Sequence, residues 1–397
     1  MIPAITAVRM TGAAHRADLP LLVLGPSLGT SASTLWTACA AGLTEVFDVL
    51  AWDLPGHGHN KAVPEEQFTM AELARGVLAV VDDVCEQRGK AGSTFLYAGD
   101  SVGGAVGLQL LLDVPDRVGG AVLLCTGAKI GDPAMWAGRI GQVSVSGTPV
   151  MVAGSAERWF APGFLDRHPD VGSALLGALQ DTDDTGYTQV CQVVSDFDVR
   201  DRLSEITAPV LAVAGAHDVA TPPALLEEIA DGVRDGRLVV LPDVAHLAPA
   251  EAPSEVAALL RQHLLGEPLP AERGERYDAG LAVRREVLGD AHVDRATANA
   301  TDFTRDFQEL ITEYAWGEIW TRPGLDRRSR SLITLTALVA RGHHEELAMH
   351  VRAALRNGLT VDELKELFLQ TAIYCGVPDA NTAFRIAQGV LAEEGLA

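Results

Sequence analysis

The hydrophobic positions of this chain follow two different rules in its front and rear parts. In the front part, short unbroken apolar runs recur at 21–24, 47–52, 94–98, 121–125, 209–214 and 238–241. Each is followed by a Gly, Pro or Asp turn and then by a stretch with apolar residues at helical spacing. A strand that is apolar at every position has both faces buried. Such runs alternating with amphipathic helices predict a mostly parallel sheet covered by helices on both sides. The rhythm breaks between Cys125 and Pro209, where no convincing strand occurs but Trp136, Trp159, Phe160 and Phe164 do. That gap predicts a helical cap, at about 127–207, inserted over the carboxyl edge of the sheet.

Residues 266–275, GEPLPAERGE, have two prolines, two glycines and no apolar period, and predict a linker. Beyond it, over 276–397, the pattern is wholly helical. A run at 326–341 is followed by another at 344–357, which ends at Gly358, a residue suited to the left-handed turn that closes a helix. Thr360-Val361-Asp362-Glu363 is a capping box that opens the next helix. Pro378 is expected to close that helix, with a last one over 379–394. Tyr374 and Cys375, within the apolar FLQTAIYCG, are expected in the core. The expected fold class is thus an α/β domain over 1–265 followed by a separate all-α domain.

Composition narrows the setting. Hydrophobic residues make up 48% of the 397 positions and charged residues 21%, a balance that lets each part bury its own core. No stretch is apolar for long enough to span a bilayer, and residues 1–20 lack the basic start and apolar centre of a secretory leader. The five cysteines (Cys39, Cys85, Cys125, Cys191, Cys375) are scattered with no C-x-x-C. They suit a reducing cytoplasm better than a disulfide framework or a cysteine zinc site. A formal charge of −22 would repel phosphate backbones, so nucleic acid is not an expected partner.

Gly99-Asp100-Ser101-Val102-Gly103 follows the apolar run TFLYA and precedes the helical stretch AVGLQLLL. G-x-S-x-G between a strand and a helix describes a turn too tight for side chains beside the serine, which lifts its hydroxyl out of the sheet. A serine hydroxyl is a poor nucleophile until a base takes its proton. Asp218 and His246 each follow an apolar run, in the order Ser…Asp…His, and the 28 residues separating them accommodate one helix and one strand. An oxyanion needs two backbone N–H donors. Those of Val102 and of Leu28, in the loop GPSLGT, are the expected pair. His57, in Asp53-Leu54-Pro55-Gly56-His57-Gly58, reads as a turn residue and not as a second base. The bland alternative for the whole motif is a tight packing turn with an unrelated histidine.

These residues resemble the α/β-hydrolase superfamily, and PSLGTSASTLW, GDSVGG, ERWFAPGF and GAHDVATPP are similar to 3-oxoadipate enol-lactonases. The resemblance implies an α/β hydrolase fold in which Ser101, His246 and Asp218 open a lactone without a cofactor or metal. Haloalkane dehalogenases and epoxide hydrolases carry aspartate where this chain has Ser101.

In the rear part, Glu346 and His350 are four apart and share a helix face, which alone reads as a solvated ion pair. The run RPGLDRRSRSLITLTALVARGHHEELAMHVRAALRNGLT, with TAIYCGVPDANTAFRIA, resembles the 4-carboxymuconolactone decarboxylases. The resemblance implies proton transfer by His350, with Glu346 setting its tautomer or relaying the proton. It also makes Arg330 a candidate for a substrate carboxylate, with His343, His344 and Cys375 as further pocket candidates. Thiol peroxidase-type members of the wider family carry C-x-x-C where this chain has His343 and Glu346, so that redox route is not expected. The two implied reactions are consecutive steps of the protocatechuate branch of the β-ketoadipate pathway. Three alternatives stay open: hydrolysis of another ester or carbon–carbon bond, a rear domain that serves only to form homo-oligomers, and a front domain that is a small-molecule receptor.

Overall fold

The computed structural model of the protein describes residues 1–10, 16–266 and 273–396. The chain divides into two compact units, Met1–Leu269 and Pro270–Ala397. In the front unit, seven strands form one sheet: β1 (Thr6–Arg9), β2 (Leu21–Gly25), β3 (Asp48–Asp53), β4 (Phe95–Asp100), β5 (Val118–Leu124), β6 (Val210–Gly215) and β7 (Gly236–Leu241). Their order is β1-β3-β2-β4-β5-β6-β7. Strands β2 to β7 run parallel, and β1 pairs antiparallel with β3 at the edge. The six apolar runs are β2 to β7. β1 carries no such signal: TAVR is four residues long and every one is half-buried, as at a sheet edge.

Helices α1 (Ala32–Ala40), α2 (Met70–Gln87) and α3 (Val102–Asp113) connect the first strands. The first two open with capping boxes, Ser31 with Thr34 and Thr69 with Glu72, which satisfy amides that the helix leaves free. From β2 the chain goes to one side for β3 and to the other for β4. At such a switch point the loops diverge beyond the carboxyl ends of the strands and leave a crevice. Gly25 of β2 pairs with Gly99 of β4, which sets loop 26–28 beside the turn at Ser101.

Between β5 and β6 stand five α-helices, α4 (Pro133–Ser146), α5 (Val152–Trp159), α6 (Phe164–Arg167), α7 (Pro169–Gln180) and α8 (Asp184–Asp196), with short 3₁₀ helices at Thr148–Met151 and Arg200–Glu205. The Val199 amide donates to the Ala128 carbonyl at 3.0 Å, so this insertion leaves and rejoins the sheet at one place. Helices α9 (Pro223–Gly232), α10 (Ala248–Glu251) and α11 (Pro253–Leu265) complete the unit.

The rear unit is helical: α12 (Arg273–Leu288), α13 (Asp290–Ala298), α14 (Arg305–Ile311), a π-helix over Thr312–Ile319, α15 (Arg327–Ala340), α16 (His344–Arg356), α17 (Val361–Cys375) and α18 (Val377–Glu393). Of the linker expected over 266–275, residues 267–272 lie outside the described residues, and 273–275 already belong to α12. One core cluster joins α15 to α18 through Leu335, Leu347, Val351 and Phe368. A second joins α12, α13, the π-helix and α16 through Val287, Val293, Trp316 and Ala353. A Cβ at Gly280 would lie 2.2 Å from the Thr312 carbonyl oxygen, so α12 meets the π-helix through bare backbone.

Two expectations need correction. Helix α17 is closed by Gly376, at φ 99°, and Pro378 stands in the first turn of α18, where its missing N–H leaves no bond unmade. Tyr374 is 79% exposed and Cys375 is half-buried, so neither is a core residue. The apolar run there continues past the buried stripe onto the surface. Among the described residues no helix is long and apolar enough to cross a membrane.

Candidate active sites

The turn between β4 and α3 holds Ser101 at φ 54°, in backbone space that side chains rarely enter. Two bonds hold it there: its amide donates to Leu124 O at 2.9 Å, and its carbonyl accepts from Thr126 Oγ1 at 2.6 Å. A Cβ at Gly99 would sit 2.3 Å from the Gly103 carbonyl oxygen, and one at Gly103 would sit 2.5 Å from the Gly25 carbonyl carbon. Both flanking glycines are therefore required by close packing of the turn.

The sequence separates Ser101, Asp218 and His246 widely, and the parallel sheet gathers them. Ser101 Oγ lies 3.0 Å from His246 Nε2, and His246 Nδ1 lies 2.9 Å from Asp218 Oδ2. All three residues are buried. Asp218 also accepts from the amides of Ala220 and Thr221 at 2.8 and 2.9 Å and from Thr221 Oγ1 at 2.6 Å. Burial pushes the Asp218 carboxyl up, but the imidazole and these donors outweigh it, and the net shift is downward. Asp218 thus stays ionised and fixes a proton on His246 Nδ1, leaving Nε2 to face the serine.

Val102 opens α3, where a first-turn amide has no intrahelical acceptor. The next amide, Gly103, donates to the Pro26 carbonyl at 2.9 Å and so draws loop 26–28 toward the turn. Leu28 lines the same cavity as Ser101 and His246, about 130 Å³ in volume. His57 lies elsewhere. It is fully buried, its Nδ1–H donates to the Pro55 carbonyl at 2.8 Å, and its ring stacks on Tyr187.

Sequence reasoning missed two supporting residues. Thr221 anchors Asp218, and a hydroxyl three residues after an aspartate is a turn signal that could have found it. Glu251 accepts from Ala245 N at 2.9 Å and from Ala161 N at 2.7 Å, joining the loop before His246 to the cap. No local pattern marks it.

In the rear unit, Glu346 is exposed and His350 half-buried on α16, and no hydrogen bond or ion pair joins them among the described residues. Burial lowers the His350 pKa, Glu346 pulls it up and His292 pushes it down again. His292, from α13, is a residue the sequence reading did not select. It lines a cavity of about 480 Å³ with Arg295, Met349, Arg352 and Arg356. Arg330, expected at the substrate, instead donates to the carbonyls of Leu325 and Arg322, at 3.2 and 2.9 Å. Its neighbour Ser331 accepts from Asn357 Nδ2, so this end of α15 lies beside the end of α16, about two turns beyond His350. His344 faces Asp379 at 3.7 Å, His343 precedes α16, and Cys375 lines a separate groove with Thr371 and Tyr374. Among the described residues no cluster of His, Cys, Asp or Glu is arranged to hold a metal.

A parallel sheet with a serine turn at its switch point, joined by hydrogen bonds to a histidine and an aspartate under a helical cap, defines the serine-hydrolase class of α/β proteins. The comparisons are specific for both units. The profile described as the alpha/beta hydrolase family matches residues 22–259, and that of the carboxymuconolactone decarboxylase family matches residues 305–389. The chain belongs to the alpha/beta hydrolase family through its front unit and to the carboxymuconolactone decarboxylase family through its rear unit. A 3-oxoadipate enol-lactonase of Acinetobacter baylyi is 30% identical over 60% of this chain and 86% of its own length. A 4-carboxymuconolactone decarboxylase of the same organism is 50% identical over 31% of this chain and 92% of its own length. The crystal structure of the enol-lactonase from Burkholderia xenovorans superposes with a TM-score of 0.61 at 28% identity, over 66% of this chain and 96% of that one.

Proposed function

We propose that the chain is a bifunctional enzyme that decarboxylates 4-carboxymuconolactone in its rear unit and hydrolyses the resulting 3-oxoadipate enol-lactone in its front unit. The observation that carries this reading is the pairing, on one chain, of a hydrogen-bonded Ser101–His246–Asp218 array with a unit half identical to a decarboxylase whose product is that array's substrate.

In the front unit, Ser101 Oγ attacks the lactone carbonyl as His246 Nε2 takes its proton. The oxyanion is met by the amides of Val102 and Leu28. Collapse breaks the ring C–O bond, and His246 returns the proton to the enol oxygen, which tautomerises to the ketone. Water then releases the acyl group by the same path, leaving 3-oxoadipate. In the rear unit, the bond to the departing carboxylate breaks and its electron pair spreads through the ring double bond into the lactone carbonyl. A proton at the α-carbon completes the enol-lactone, and His350 supplies it, with Glu346 one turn earlier on α16 drawing the His350 pKa upward. A half-buried imidazole takes up its proton less readily than a free one, which makes it the stronger acid once protonated. Arg295, Arg352 and Arg356, which line the cavity with His292, join Arg330 as candidates to receive substrate carboxylates.

The rear unit exposes Ile373, Tyr374 and Val377 at the α17–α18 corner and Phe303 and Phe307 around α14. Exposed apolar groups of this kind mark contact surfaces, and the unit self-associates through them in this reading. Five free cysteines suit a cytoplasmic setting.

The test is to supply carboxymuconolactone and follow both products. Ser101→Ala should let the enol-lactone accumulate, and His350→Ala should leave the starting lactone intact while added enol-lactone is still hydrolysed. Full conversion to 3-oxoadipate by Ser101→Ala would remove the triad from the mechanism.

A further inference from the structure

The cap places two arginines in the cavity above the triad. Arg139 of α4 and Arg158 of α5 line it together with Ser101 and His246. Both are half-buried, and neither forms an ion pair with a carboxylate among the described residues. Burial lowers the Arg158 pKa, and the charge of Arg139 lowers it further, so the two guanidinium groups are close enough to repel. Glu157 compensates least of the groups acting on Arg158, and it is exposed. In a chain of net charge −22, two adjacent cations without a carboxylate partner need an explanation.

Local packing holds both forks in place. The Arg139 guanidinium lies over the Trp136 ring, 4.9 Å from its centre, and Trp136 is itself fixed by a bond from Nε1 to the Ile130 carbonyl at 2.7 Å. Arg158 lies back along its own helix onto Gly154, where a Cβ would come within 2.9 Å of Nη1. Arg139 also bonds the Tyr187 hydroxyl, and the remaining N–H donors of both planar forks are available to a ligand, in the geometry that matches a carboxylate. Leu28, Ile130 and Trp159 give the rest of the wall a largely apolar surface, interrupted by Ser155 and Tyr187.

We propose that Arg139 and Arg158 form a carboxylate clamp that selects lactones bearing an anionic side chain and sets the lactone carbonyl over Ser101. The inference rests on the hydrolase reading of the front unit and specifies its substrate class. A bound carboxylate relieves the repulsion between the two cations and replaces their lost hydration. A neutral lactone of the same size leaves both forks half-desolvated and unpaired. Discrimination therefore comes from what the wrong ligand fails to satisfy.

The experiment compares the wild type with R139Q, R158Q and R158K, in the full chain. One readout is the ratio of kcat/KM for enol-lactone to that for a neutral ester such as p-nitrophenyl acetate. The other is binding of 3-oxoadipate, and of its dimethyl ester, followed by tryptophan fluorescence. Each glutamine variant should lower the ratio about ten- to a hundredfold, the usual worth of a hydrogen bond to a charged group. It should weaken 3-oxoadipate binding in step, and R158K should retain part of both. A misfolded variant would lower both substrates alike and leave the ratio unmoved, as would a purely structural role, and either result in all three variants overturns the clamp. Arginine-dependent binding in a wild type that hydrolyses neither substrate would uphold the clamp and end the hydrolase reading. Arginine-independent binding with intact hydrolysis would do the reverse.

Discussion

Ser101 is held in a conformation that its own side chain disfavours. Positive φ at a non-glycine residue costs about 1–3 kcal/mol, sustained here by the bonds from Thr126 and to Leu124. Ser101→Gly should therefore unfold at a higher temperature than Ser101→Ala, by about 1 kcal/mol in the front unit, although both lack the nucleophile. Equal melting curves would mean the turn is unstrained. His57 bears on stability through pH. Burial takes its pKa from 6.5 to about 4, against weaker upward pulls from the Pro55 carbonyl and Asp53. The unfolded chain then takes up the proton first. The stability tied to neutral His57 is complete above pH 6.5, falls as the pH drops toward about 4 and is absent below, roughly 3 kcal/mol in all. His57→Asn should flatten that limb in urea midpoints measured against pH, and an unchanged limb would assign the titration to other groups. The triad was legible in the sequence because each member follows an apolar strand in a fixed order. Arg139 and Arg158 were not, since only tertiary packing reveals that no carboxylate answers them.

Glu251, the last residue of α10, shows how one side chain ties elements together. Its oxygens hold the amides of Ala245, next to His246, and of Ala161, in the cap. Burial raises its pKa, and the amides it accepts from oppose that rise. Glu251→Ala would leave two amides unsatisfied, at a cost of about 1–3 kcal/mol each if they stay buried. It should lower kcat for the lactone more than it raises KM, because His246 loses its register and the pocket does not. A loss confined to KM would argue that Glu251 serves the cap alone. The elements themselves were legible wherever burial is two-sided or strictly periodic, as in β2 to β6 and α15. β1 was silent because an edge strand needs only one apolar face, and TAVR is too short to repeat it. The end of α17 was misplaced because proline was read as a stop, whereas the positive φ of Gly376 does the stopping.

At the scale of the molecule, each unit has its own core and its own candidate site. Residues 1–266 and 273–397 expressed separately should each fold. The first should hydrolyse enol-lactone, and the second should decarboxylate and run as an oligomer in sedimentation. A front fragment that folds but does not turn over would mean that its site needs the rest of the chain. Joining the activities raises the local concentration of intermediate without requiring a channel. The division into two units was legible from the change of period and the proline-rich stretch. The cavity lined by His292 was not: it draws on α13 and α16, and nothing local in the sequence connects the two.

The bond between Val199 and Ala128 closes the cap insertion like a clasp. A segment whose two ends already touch can be exchanged for another of different length at little entropic cost, because closure grows only with the logarithm of length. The sheet supplies Ser101, Asp218 and His246, and the cap meets them at two backbone points, the Trp159 carbonyl on His246 N and the Ala161 amide on Glu251, while Arg139 and Arg158 travel with the removable piece. Selectivity is thereby inherited with the cap, and reactivity survives the exchange where the new cap keeps the two backbone contacts to His246 and Glu251. A related hydrolase given residues 129–198 of this chain should acquire its taste for anionic lactones while keeping its own chemistry.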